Sequence, residues 1–158
     1  VMAFLVVAVA EEGGKFFFLK RRTWKDPNYN YRFDGIVYSV FLSLGFAAFE
    51  NISYVMGYGL TTALLRAVLA IPGHMGFAVF MGLFYGRAKL CADQGDVRGR
   101  KRNLWAAYLS AVVLHGFYDA CALIGTALSA LLFLAFVIVM YIVVTRMVKK
   151  QSKTDAPV

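Results

Sequence analysis

The stretch Phe46-Ala47-Ala48-Phe49-Glu50-Asn51 decides how this chain folds. It lies inside a long apolar run from Gly35 to Gly59. A charged side chain at the centre of a lipid-spanning helix costs roughly 2.5–3.5 kcal/mol on insertion scales. Glu50 therefore needs a partner, a proton or a wet cavity. The candidates for that partner sit in other apolar runs, where a membrane should not tolerate them either.

Working outward, such runs recur along the whole chain. Of its 158 residues 60% are hydrophobic, and the mean hydropathy is +0.63. A soluble domain is about 45–50% apolar. The chain reads as an all-α, polytopic transmembrane helix bundle with about five spans: 1–19, 34–58, 61–85, 104–123 and 125–148. Residues 1–150 form one membrane-embedded domain and 151–158 a cytoplasmic tail. Val1 opens directly in an apolar run, so the start reads as a truncation rather than a signal peptide.

A net charge of +8 invites a nucleic-acid reading, but its distribution argues against one. Fifteen of the seventeen Lys and Arg residues lie in 20–32, 87–102 and 146–153, each after an apolar span. The turns near 57–62 and 122–126 carry no charge. This alternation places the basic segments in the cytoplasm and the short turns outside, at a cell membrane. The partner it implies is the bilayer and not a nucleic acid. Cys91 and Cys121 show no metal-ligand spacing.

Against this background the polar residues inside spans stand out. Glu11, Glu12 and Lys15 can meet on one helix face. Phe46 precedes Glu50 by four residues and can shield it from water; Asn51 follows directly. His74 adjoins Pro72-Gly73, where a kink is expected. His115 and Asp119 are one turn apart, so the carboxylate can orient the imidazole. Ala78, Gly82 and Gly86 form a small-residue packing ridge. Arg66 reads as a residue that snorkels to the external face, and 86–103 as a solvated connector. All three glutamates and both histidines of the chain fall inside spans. At 1.5 Å per residue they lie roughly 10–22 Å from the basic face, close enough in depth to share one site.

Glu11-Glu12 with Lys15, Phe46-x-x-x-Glu50-Asn51, His74, and His115-x-x-x-Asp119 occur in that order on four successive spans. This arrangement resembles the PrsW family of intramembrane proteases, and more distantly the CAAX prenyl endopeptidases. Phe33-Asp34-Gly35-Ile36-Val37-Tyr38 also looks like that family. The resemblance implies a peptidase that cuts a membrane-anchored protein, an anti-sigma factor, as the first cut of regulated intramembrane proteolysis.

Peptide hydrolysis needs an activated water, an oxyanion stabiliser and an acid for the leaving amine. A carboxylate in a low-dielectric cavity suits the role of base. The residues read as one of Glu11 and Glu12 activating water and the other pairing with Lys15. His74 and His115 then polarise the carbonyl or hold the water, Asp119 orients His115, and Glu50-Asn51 positions substrate or neighbouring groups. No metal is obligatory in the preferred version. In its rival, Zn²⁺ is held by His74, His115 and either Asp119 or a glutamate. A proton-coupled transporter and a non-catalytic membrane scaffold are the alternatives from other classes.

Overall fold

A computed structural model describes residues 3–158. A π-helical stretch, Ala3–Ala8, runs into α1 (Val9–Thr23). Four longer helices follow: α2 (Asp34–Tyr58), α3 (Leu60–Asp93), α4 (Val97–Ile124) and α5 (Ala127–Lys153). The fold is all-α. Helices α2 to α5 are each long and apolar enough to cross a membrane. The first expected span is different. Helix α1 has only 15 residues, and Glu11, Glu12 and Lys15 interrupt its apolar character.

The helix ends follow local chemistry. Gly59, Gly95 and Gly125 adopt φ of 85°, 74° and 71°, a left-handed region where a side chain would be strained. Asp96 caps α4 by accepting from the Gly99 amide at 2.8 Å. Thr126 and Ser129 form a reciprocal capping box at the start of α5. The segment 86–103, expected as a connector, is mostly helix. Helices α3 and α4 extend through it, leaving only Gln94, Gly95 and Asp96 between them. Its Arg, Lys, Ala and Leu residues are good helix formers, and hydropathy sees only the part of a helix that lipid covers. Pro72 does not break α3.

The bundle is centred on α3, which packs along α2 and α4. The ridge Ala78-Gly82-Gly86 is a packing face, as expected. A Cβ on Gly82 would meet the Gly35 carbonyl oxygen and the Ile36 Cα within 2.5 Å, so the backbones of α2 and α3 touch there. Helix α5 is more peripheral and joins the core through Met140 and Val144. Beyond α5 the chain folds back. The Arg32 amide donates to the Ala156 carbonyl at 2.8 Å, and the Val158 amide to the Asn30 carbonyl at 2.9 Å. The far end of α5 and the α1–α2 connection therefore lie at the same end of the bundle.

Candidate functional site

Four helices bring their charged residues to one place. On α1, Glu12 and Lys15 face inward and are each about 1% exposed at the side chain. Lys15 Nζ lies 2.7 Å from Glu12 Oε1 and 3.7 Å from Glu11 Oε2. It also donates to His74 Nδ1 on α3 at 3.0 Å. An ammonium can only donate, so His74 Nδ1 is the acceptor and its Nε2 carries the hydrogen. That Nε2–H faces Glu50 Oε2 on α2 at 3.0 Å. On α4, His115 Nδ1 donates to the same Glu12 oxygen at 2.9 Å. Its Nε2 lies 3.4 Å from Asp119 Oδ2, a longer contact. The two imidazole centroids are 5.1 Å apart, and Phe77 stacks on His115 at the same distance. Ser43 on α2 donates to the His74 carbonyl at 3.1 Å and pins α2 to α3 at this level.

The cluster borders a cavity of about 900 Å³. Glu11, Glu50, His74, His115 and Asp119 line it, and it reaches Thr126 at the start of α5. The two adjacent glutamates differ. Glu12 is buried and committed to Lys15 and His115. Glu11 is 20% exposed at the side chain, on the cavity. Four carboxylates thus face two cations, Lys15 and Arg66. With neutral imidazoles the cluster carries two uncompensated negative charges.

Glu11, His74 and His115 each offer one ligand atom, and these atoms all lie within 4.8 Å of one another. Two imidazoles and a carboxylate form a donor set that zinc hydrolases use. Each imidazole is also held by a carboxylate, Glu12 for His115 and Glu50 for His74, as ligating histidines are. The residues therefore fit a divalent cation. One contact competes with it. Both ring nitrogens of His74 are already engaged, so a metal there replaces one of those contacts.

The model of the family described as PrsW family intramembrane metalloprotease matches residues 1–147. The chain belongs to the PrsW-protease family. Its relatives in that family include the Protease PrsW of Geobacillus kaustophilus, 41% identical over 117 residues, or 74% of this chain and 50% of the relative. The Protease PrsW of Halalkalibacterium halodurans is 35% identical over 153 residues, 97% and 69% of the two chains. That of Bacillus subtilis is 38% identical over 128 residues, 81% and 56%. The chain thus spans between half and about two thirds of the length of these relatives. No solved structure matches it.

In this PrsW-family chain the site departs from the sequence reading in its details. Phe46 packs between Lys15, whose Nζ lies 4.4 Å from the ring centroid, and His74, at 6.2 Å between rings. It shields the lysine–histidine contact more than Glu50. Asn51, next to Glu50 on α2, is half-buried. The close carboxylate on His115 is Glu12, with Asp119 on the other nitrogen. The carboxylate completing the potential metal set is Glu11, one of the glutamates the sequence allowed for, and not Asp119.

The sequence reading missed Arg66. Its guanidinium pairs with Glu50 Oε1 at 2.8 Å and stacks on Tyr54 at 3.6 Å. A signal was available, since Arg66, Ala70 and His74 are spaced four apart and share a helix face. Arg66 also bears on testing Glu50. Glu50→Leu alone would strand the guanidinium. The double variant Glu50→Leu/Arg66→Leu removes both charges, and such replacements are often neutral for folding. We expect it to insert and melt like the unmodified protein while cleaving about 10–100-fold more slowly, the usual cost of losing the group that orients a ligating histidine. Melting in detergent and cleavage of a membrane-anchored substrate measure the two effects. Loss of stability with normal cleavage would make Glu50 a structural contact only.

Proposed function

We propose that this chain carries the catalytic core of an intramembrane endopeptidase that hydrolyses a peptide bond in a membrane-anchored protein. The expected substrate is an anti-sigma factor-like protein, cut first in a regulated cascade. The observation that carries the reading is the mutual approach of Glu11, His74 and His115 on a cavity among membrane-crossing helices. A scaffold has no need of that convergence, and a transporter has no need of two imidazoles held by separate carboxylates.

The hydrogen bonds favour a metal over the metal-free version that the sequence suggested. With both imidazoles neutral, neither offers a free N–H to a carbonyl in the cavity. His74 donates from Nε2 to Glu50, and His115 from Nδ1 to Glu12. Glu11, His74 and His115 would hold Zn²⁺, which supplies a Lewis acid for the water and the carbonyl. The rest falls to the chain. Glu12 and Glu50 fix the two rings in their tautomers. Lys15 neutralises Glu12 and keeps the acidic pair compatible with burial. Asp119 lines the cavity and is not closely held; it takes the proton of the attacking water and returns it to the leaving amine. The metal-free reading keeps one observation of its own. The Lys15 ammonium already lies beside His74 and can serve as the cation of the site.

Chelation separates the two. Purified protein should lose cleavage reversibly on exhaustive chelation and regain it with about one equivalent of Zn²⁺. Activity that survives complete removal of metal would return water activation to Glu11 alone. Cleavage of no membrane-anchored substrate under either condition would favour the scaffold.

The orientation makes a separate prediction. We place the basic connections in the cytoplasm. Cys91 lies near the end of α3 on the basic side, while Cys121 is buried near the opposite end of α4. A membrane-impermeant thiol reagent should spare Cys91 in intact cells and label it after lysis. Efficient labelling from outside would invert the topology.

A further inference from the structure

A second concave site lies apart from the cluster, between α1 and α4. Phe16, Lys20, Lys101, Leu104, Trp105 and Tyr108 enclose a groove of about 370 Å³. The two helices are in contact beside it. There Tyr108 approaches Gly13, and its hydroxyl donates to the Val9 carbonyl at 3.2 Å. The floor of the groove is a run of aromatic rings, with Phe16 6.0 Å and Trp105 6.4 Å from Tyr108. Lys20, one turn beyond Phe16, and Lys101, one turn before Trp105, complete its lining.

The general excess of cationic residues on this side accounts for their number but not for their placement. Two lysines from different helices line one otherwise largely apolar groove. Among the described residues neither is paired with a carboxylate, in contrast to the buried Lys15. None of the residues enclosing the groove is acidic. The aromatic rings lie about 6 Å deeper than the lysines, at one turn of helix. That is the spacing from a phosphate at the interface to the first part of an acyl chain below it.

We propose that this groove binds one anionic phospholipid, with the headgroup phosphate between Lys20 and Lys101 and an acyl chain along Phe16, Leu104, Trp105 and Tyr108. The lipid fills the groove between α1 and α4. It thereby braces the short helix that carries Glu11, Glu12 and Lys15. The site is independent of the peptidase reading and its test uses no substrate.

Trp105 is 63% exposed and sits on the groove, so it reports occupancy directly. The full chain would be reconstituted into vesicles containing acyl-brominated phosphatidylglycerol or acyl-brominated phosphatidylcholine, and tryptophan quenching recorded. A Trp105→Phe variant supplies the background from Trp24. At roughly fivefold per lysine near a surface, phosphatidylglycerol should be preferred about 20–30-fold. Lys20→Gln/Lys101→Gln should bring the preference close to unity. Lys149→Gln/Lys150→Gln, on exposed positions of α5, should leave it unchanged. Equal quenching by the two lipids would overturn the proposal. So would a preference that survives loss of Lys20 and Lys101, or one that falls equally with Lys149 and Lys150.

Discussion

Glu11→Gln is expected to reduce cleavage about 10²–10⁴-fold, the scale of removing a group that acts on the reacting water. The amide keeps the shape of the side chain and an acceptor oxygen. What it loses is the charge. The fold should not respond, because Glu11 faces the cavity and its contact with Lys15 is long, at 3.7 Å. Unaltered melting and unaltered yield from the membrane would check this. The variant also divides the two mechanisms. If Glu11 binds the metal, bound zinc per chain should fall with activity. If Glu11 is a base in a metal-free site, activity should vanish with metal content unchanged. Full cleavage by the variant would reject both roles for Glu11 and move water activation to another carboxylate of the cavity, Glu50 or Asp119.

Lys15→Met should instead fail in stability. Lys15 and Glu12 are both about 1% exposed, and the ammonium also serves Glu11 and His74. Methionine matches the stem of lysine and removes the charge. Glu12 is then left as a buried carboxylate whose only close partner is the His115 N–H. Removing one member of a buried pair typically costs about 3–5 kcal/mol. For a chain of this size that corresponds to a melting point lower by on the order of 10 °C. The double variant Lys15→Met/Glu12→Gln should recover most of the loss, because the unpaired charge is gone. It should not recover cleavage, since His115 no longer has a carboxylate to orient it. Melting of the three proteins in one detergent decides the matter. A single variant as stable as the unmodified protein would show that Glu12 does not depend on Lys15.

Much of this architecture was legible in the sequence because lipid imposes strong constraints. Glu50 and His115 are costly in apolar runs, so their positions alone announced a shared polar site. The i, i+3 and i, i+4 spacings of Glu11, Glu12 and Lys15 fixed their common face. What remained hidden was the choice of partner across helices. Spacing cannot tell that Glu12 rather than Asp119 takes the closer contact to His115, because that depends on how far α1 rotates against α4. Arg66 escaped for a different reason. Near a helix end a cation has a ready explanation at the membrane surface, and its real partner lies on the neighbouring helix. The segment 86–103 was misjudged as a connector because its charges end the lipid-covered part of α3 and α4 without ending the helices.

Those extended helices have a practical use. At 1.5 Å per residue the 34 residues of α3 measure ~51 Å, against a hydrocarbon layer of about 30 Å. The 28 residues of α4 measure ~42 Å. The surplus stands on the basic side as a helical hairpin closed by the short turn at Gln94–Asp96. Gly95 fixes the bend and Asp96 caps the returning helix, so the tip is continuous in structure with the bundle. A 17.5 kDa chain embedded in a detergent micelle offers little for image alignment. This hairpin offers a grip outside the micelle whose orientation reports that of α3 and α4. An antibody fragment raised against it would serve as a fiducial while leaving the cavity, at the other end of the same two helices, open to substrate.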